Sequence, residues 1–431
     1  MPNISLLVVQ IAVILIAARL MGLLFRKIGQ PQVVGEMAAG IMLGPSLLGW
    51  VSPALSSALF PLSSLGFLNA LSQVGLVFFM FTVGLSLNPR ELHEHGHVAV
   101  LTSHVSIATP FCLGSMMALF LYPHLSDDKV PFTGFALFMG AAMSITAFPV
   151  LARILSERKL LRTKMGTLSI ACAAVDDVTG WCILAYIIAT IRVTQDSRPP
   201  WVALAGGLTY VGFMMFVVRR AARRFEGSFR RAGRLSDNAL AVMVMLMLAS
   251  ALATESIGIH LLFGAFLMGA IMPKSPDFVD HVIQKFESIT VVVLLPLFFA
   301  FSGLRTSIGV VRVPGMALYA LVIIALAIAG KLGGSAIAAR MAGMPWREAA
   351  SLGILMNTRG LMELVILNIG LDLKVISPAI FSMMVLMALV TTFMTTPLLE
   401  WVYPARLMYD GIFADNDQGR RATLAKAGVR P

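Results

Sequence analysis

The stretch SIACAAVDDVTGWCILAY, residues 169–186, places two adjacent aspartates inside an apolar run nearly long enough to cross a bilayer. Small neighbours, Ala173, Ala174 and Gly180, would let other helix backbones approach closely. Asp176 and Asp177 would repel if both were ionised in a dry site, and desolvating each costs on the order of several kcal/mol. Something cationic has to visit them. Consecutive helical residues point about 100° apart, so one carboxylate can face a fixed partner while the other faces a cavity.

The whole chain fits this reading. Of 431 residues, 58% are hydrophobic and only 13% charged, whereas a soluble domain is about 25% charged. That excludes an ordinary cytosolic enzyme, a disordered chain and a secreted disulfide scaffold. Cys112, Cys172 and Cys182 all sit in apolar stretches, so the spacing gives neither a disulfide framework nor a metal cluster. Windows of about 20 apolar residues recur near 4–25, 32–50, 66–87, 97–122, 131–156, 163–191, 201–219, 236–255, 259–272, 286–303, 312–340, 345–370 and 376–400. The expected fold is therefore an all-α polytopic membrane protein with thirteen transmembrane segments, filling residues 1–400, of which the second and ninth are short.

Basic residues set the orientation, because Lys and Arg are retained on cytoplasmic loops. Arg26, Lys27, Arg90, Arg158, Lys159, Arg162, Lys164, the run from Arg219 to Arg234, Lys274, Lys285, Arg340, Arg347 and the tail form one alternate set of 23. The other set holds 6: Lys129, Arg192, Arg198, Arg305, Arg312 and Lys374. This predicts an outside N-terminus, an odd number of spans and a short polar cytoplasmic tail at 401–431. No basic n-region precedes the first span, so a cleaved signal peptide does not fit. The arginine-rich run at 219–234 lies between two spans, and topology plus attraction to anionic lipid explains it better than nucleic-acid binding.

Four basic residues remain, Arg19, Arg153, Lys331 and Arg359. The first two lie near cytoplasmic ends and can snorkel. Lys331, in ALVIIALAIAGKLGGSAIAAR, and Arg359, in ILMNTRGLMELVILNIG, are deep in their spans. A cation there costs about 2.5–3.5 kcal/mol and needs a partner or a wet cavity. Glu363 follows Arg359 by four residues, within reach for a local ion pair. Two readings of the aspartates stand. In one, Asp176 pairs with Lys331 and Asp177 binds something exchangeable; in the other, one acid pairs permanently and its neighbour is protonated or faces a helix end.

Two spans look broken. Pro149 falls in mid-span after the hydroxyls of Ser144 and Thr146, and Asn357, Thr358 and Gly360 interrupt the twelfth segment. Polar interruptions of this kind point to discontinuous helices whose free termini build ion sites. The interrupted segments are seven apart, an odd offset that inverts orientation. Repeat one would run over about 4–191 and repeat two over about 236–400, with a linker helix at about 201–219.

At these residues the chain resembles the monovalent cation:proton antiporter superfamily, second branch. The matching stretches are GQPQVVGEMAAGIMLGPSLLG (29–49), MSITAFPVLARIL (143–155), ACAAVDDVTGWCILA (171–185), GKLGGS (330–335) and NTRGLMELVILNIGLD (357–372). The resemblance implies an inverted repeat in which segments 5 and 12 unwind and cross near the ion site, with a core working against a scaffold. It implies Asp177 as the cation and proton carrier, Asp176 as its neighbour, Lys331 as the partner of Asp176, and an oxygen from Thr146; Glu36 is shared by relatives. Two acids plus a lysine are similar to the electrogenic members, and homodimers are common in the family as a whole.

The expected function is exchange of sodium or potassium for protons across a bacterial plasma membrane, with no enzyme activity and no cofactor. Asp177 and Asp176 would be the metal-ion ligands, with Thr146 and Ser144 adding oxygens suited to a hard cation. Lys331, Arg359, Glu363, Asn357 and Thr358 would support the site, and Pro149 and Gly360 would break the helices. A cation channel is the alternative. An intramembrane aspartyl protease is the weaker one, because its two acids must face each other from separate helices. His93, His95 and His97 alternate in a cytoplasmic loop and read as a solvated segment or a pH sensor.

Overall fold

A computed structural model describes residues 4–86, 96–126, 130–158, 160, 163–196, 200–233, 235–257, 260–309 and 313–404. Among them there are helices and no strand. The first group comprises α1 (Ile4–Lys27), α2 (Gln32–Leu43), the short α3 (Leu48–Val51) and α4 (Pro53–Leu59), and α5 (Leu62–Ser86). Then come α6 (Gly96–Leu125), α7 (Phe132–Ser144), α8 (Phe148–Glu157) and α9 (Lys164–Asp196). In the middle of the chain lie α10 (Pro200–Phe213), α11 (Arg219–Ala232), α12 (Asp237–Ile257), α13 (Leu261–Ile271), α14 (Pro276–Ile289) and α15 (Leu295–Leu304). The remainder is α16 (Met316–Ile328), α17 (Gly334–Met341), α18 (Trp346–Met356), α19 (Leu361–Asp372) and α20 (Pro378–Val402).

Among the described residues, eight helices are long and apolar enough to cross a membrane, or nine if the pair bent by 42° between Pro276–Phe286 and Thr290–Leu304 counts as one. The expected thirteen is thus not reached by single continuous helices. The shortfall falls where breaks or brevity intervene: α7 with α8, α18 with α19, the 14-residue α10 and the 11-residue α13. The break in the fifth window lies at Ile145–Ala147, just before Pro149, which occupies the first turn of α8. A proline there loses no hydrogen bond the helix would have made. In the twelfth, Asn357–Gly360 separates the halves, and Gly360 has a φ of 151°, a left-handed value that a side chain would strain.

Packing divides the helices into two groups. One comprises α1, α2, α5, α12, α13, α14 and α15; the other α6 to α9 and α16 to α20. In the first, α2 and α15 cross so closely that a β-carbon on Gly303 would overlap the Gly40 backbone. The groups touch along α2 with α20 and α15 with α19, while α10 packs against α9 on one side and α12 on the other. At one end Arg305 reaches from the end of α15 to Asn368 (3.0 Å) and Asp372 (2.7 Å) on α19, over the rings of Phe301 and Phe381. Nearby, the Ser307 amide donates to the Ser382 hydroxyl at 3.0 Å.

A π turn at Met214–Val218 leads into α11, whose Phe229 packs edge-on against Phe278 and beside His281 while Arg219, Arg220, Arg223 and Arg224 are exposed. His93, His95, the His97 side chain, and residues 405–431 of the tail lie outside the described residues.

Candidate functional site

Where α7 and α8 part, backbone groups lose their helical partners, and the same happens between α18 and α19. The two breaks meet: the Ala147 amide donates to the Thr358 carbonyl at 3.0 Å, and Thr146 Oγ1 lies 3.1 Å from the Met356 carbonyl. Buried carbonyls left without a donor carry a free-energy penalty, so cations collect at them. Arg359 donates from Nη1 to Ala142 O (3.2 Å) and from Nη2 to Met143 O (2.5 Å). Lys331 Nζ donates to Ser144 O at 2.5 Å. These are the last carbonyls of α7, where the helix dipole also favours positive charge.

Lys331 reaches this point from a π turn, Ala329–Gly333, within the long segment α16–α17. Turns of this kind often mark functional sites. The amine also donates to Asp176 Oδ2 (2.7 Å) and to Ser106 O (3.2 Å). Ser106 O is free because Pro110, four residues on in α6, has no N–H to offer it. Lys331 and Asp176 are both fully buried.

Arg359 is equally buried and pairs with Glu363 Oε2 at 3.2 Å, the local pair expected from their spacing. Its own backbone is held by Thr392, whose hydroxyl accepts from the Arg359 amide (3.0 Å) and donates to its carbonyl (2.6 Å).

Asp176 and Asp177 have opposite surroundings. Asp176 accepts from Lys331, from Thr146 Oγ1 (2.7 Å) and Ser106 Oγ (3.3 Å) at Oδ2, and from Ser103 Oγ (2.5 Å) at Oδ1. Asp177 is buried and neither oxygen accepts a well-formed hydrogen bond, the Phe148 amide at the start of α8 being only a weak backbone donor to it. Unfilled buried carboxylate oxygens are rare and call for an explanation, such as a proton or a cation. Asn357 Oδ1 and Thr358 Oγ1 are likewise buried and without a hydrogen-bond partner.

The structure thus gathers Asp176, Lys331, Thr146, Ser144, Arg359, Glu363 and Thr358 around the two breaks. Two expected oxygens are otherwise engaged. The Ser144 hydroxyl donates back to Ala141 O (2.9 Å), so only its carbonyl serves the site, and Thr146 Oγ1 is turned to Asp176. Asn357 Nδ2 faces Met394 Sδ at 4.0 Å. Among the described residues no three or more His, Cys, Asp or Glu side chains converge as metal ligands. Glu36 accepts from Gln32 at 3.1 Å, both in α2 of the other helix group. Ser103 and Ser106 were not singled out from the sequence; the signal was TSHVSIATP at 102–110, hydroxyls ahead of a proline inside an apolar span.

Known proteins align with the chain along nearly its full length. The family model described as "Sodium/hydrogen exchanger, transmembrane" matches residues 12–401. The Na(+)/H(+) antiporter NhaS4 of Synechocystis sp. is 47% identical over 93% of this chain and 98% of its own length. The K(+)/H(+) antiporter 1 of Saccharomyces cerevisiae is 33% identical over 93% of this chain, which spans only 46% of that relative. In fold, the chain superposes on the sodium proton antiporter MjNhaP1 of Methanocaldococcus jannaschii with a TM-score of 0.66 and 16% identity, covering 95% of this chain and 99% of that one. With the family model spanning every helix that builds the two breaks, the chain belongs to the sodium/hydrogen exchanger family.

Proposed function

We propose that the protein exchanges sodium or potassium for protons by alternating access, with Asp177 as the group that holds either ion. The observation that carries this reading is the asymmetry of two adjacent buried carboxylates, one saturated by four side-chain donors and the other with no side-chain donor. A carboxylate that holds a proton or a cation, but not both, couples the two fluxes. Loading the cation expels the proton, and an empty charged site is too costly to carry through lipid. Only loaded forms cross, and no nucleotide is needed.

Lys331 and Arg359 cap the carbonyl end of α7, so the broken helices keep their shape as the load at Asp177 changes. Asp176, committed to Lys331, is badly placed to share a proton with a facing acid as a protease would require. The two helix groups joined through α10 support a core moving against a scaffold, and the segment offset supports inverted repeats over 4–191 and 236–400. The names of the relatives support both alkali cations as candidates. The same reading places a homodimer in a bacterial inner membrane, N-terminus outside.

The test is purified protein in liposomes carrying a pH-sensitive dye, with sodium, potassium and lithium added in turn. Wild type dissipates an imposed pH gradient on addition of the transported cation, and Asp177→Asn abolishes that response. Wild-type exchange by Asp177→Asn refutes the assignment.

A further inference from the structure

The two aspartates are chemically identical and adjacent in sequence, so their difference in role has to come from what touches them. Lys331 alone does not decide it. A carboxylate presents about four lone-pair sites, and an ammonium at one oxygen leaves the other free to ligate a cation. In this protein the other oxygen, Oδ1 of Asp176, accepts from Ser103, and Ser106 and Thr146 add donors beside Lys331 at Oδ2. Ser103 and Ser106 are three residues apart on one face of α6 and are fully buried. The same helix supplies the Ser106 carbonyl to Lys331, so α6 holds both members of the ion pair.

We infer that Ser103 and Ser106 are positioning residues for cation exchange: by filling Asp176 they keep it off the transported ion and leave Asp177 as the ion's only carboxylate. This rests on Asp177 being the carrier. A site with one carboxylate holds a monovalent cation less tightly than a site with two, and it releases the ion faster. The serines therefore set the affinity and preference of the site without touching the ion.

The experiment measures initial cation-driven proton flux in proteoliposomes against sodium, potassium and lithium concentration at one fixed pH. The variants are Ser103→Ala, Ser106→Ala, the double Ala variant, and Ser103→Thr, which keeps a hydroxyl. Removing donors frees Asp176, so the double variant has an apparent KM lower by about tenfold, a reduced Vmax and an altered sodium-to-potassium ratio. Ser103→Thr restores the wild-type KM. An unchanged or raised KM with an unchanged cation ratio in folded protein, checked by size-exclusion chromatography, overturns the inference. Should the double variant not fold, the two single variants give the same readout with smaller shifts, and their KM decides. If Asp177→Asn transports like wild type, the carrier assignment fails; if it is inactive while the serine variants match wild type, only this inference fails.

Discussion

Replacing Lys331 by Met removes the cation from a fully buried pair and leaves its partner in place. Asp176 then keeps three hydroxyl donors but no opposing charge, and Ser106 O and Ser144 O lose the donor at 3.2 and 2.5 Å. Breaking a buried pair from one side costs about 3–5 kcal/mol, mostly as the penalty of the stranded charge. Asp176→Asn strands the lysine in the same way, although the two carbonyls still solvate it, so its loss falls at or below the low end of that range. The double variant strands no charge and keeps a similar volume, so its loss is smaller than the sum of the single losses. Denaturant unfolding of the four proteins in one detergent, followed by tryptophan fluorescence, gives the cycle; the coupling expected is in the upper part of the 0.5–3 kcal/mol range for contacting residues, about 2–3 kcal/mol. Additive losses would refute the claim that this pair is held together by mutual compensation of charge.

Further outcomes follow from other parts of the molecule. Arg305→Ala removes the contacts from α15 to Asn368 and Asp372, and because the arginine and Asp372 side chains are 20% and 42% exposed the loss is only about 1 kcal/mol. Even so, it shifts the two helix groups apart at that end, and a cysteine placed at Ser382 reacts several-fold faster with a water-soluble maleimide; unchanged labelling shows that Arg305 does not hold the groups together there. Gly303→Val drives side-chain atoms into the Gly40 backbone and costs about 1–3 kcal/mol or more, read as a lower melting temperature in detergent, which a neutral result would contradict. Lys274, in the loop between α13 and α14, donates to Gly84 O, Leu85 O and Gly269 O, and burial together with nearby Arg219 lowers its pKa to about 7. Its folded value lies below an unfolded value of about 10.4, so the unfolded chain binds more protons between them and stability rises with pH over that window. Lys274→Gln flattens this rise in melting temperature between about pH 7 and 10; an identical slope in both proteins counts against it.

Much of the site was legible because a membrane makes misplaced charge expensive. Asp176, Asp177, Lys331, Arg359 and Glu363 stand out in apolar text, and the four-residue spacing from Arg359 to Glu363 sufficed to pair them. The breaks were legible from polar and glycine residues, but their position was not: Pro149 drew attention to itself, whereas the chain opens at Ile145–Ala147 and the proline starts the next half-helix. Ser103 and Ser106 escaped notice because a serine in a helix can satisfy itself on its own backbone, and only the neighbouring helix shows that these two do not. The count of spans was the least legible, since broken and 11-residue helices cannot be told from continuous ones by apolar content.

What the sequence by itself determined is the solvent the protein lives in and the few groups that solvent will not tolerate alone. Hydrophobicity and charge are properties of residues, and a bilayer reads them one segment at a time. Which of two neighbouring aspartates is left without side-chain donors was decided only by tertiary structure. That choice depends on donors 30 to 155 residues away, on α6, the α7–α8 break and the Lys331 turn, brought within 3.3 Å of one carboxylate and not the other. Hydrogen bonds act over ångströms in space, and distance along the chain does not encode them.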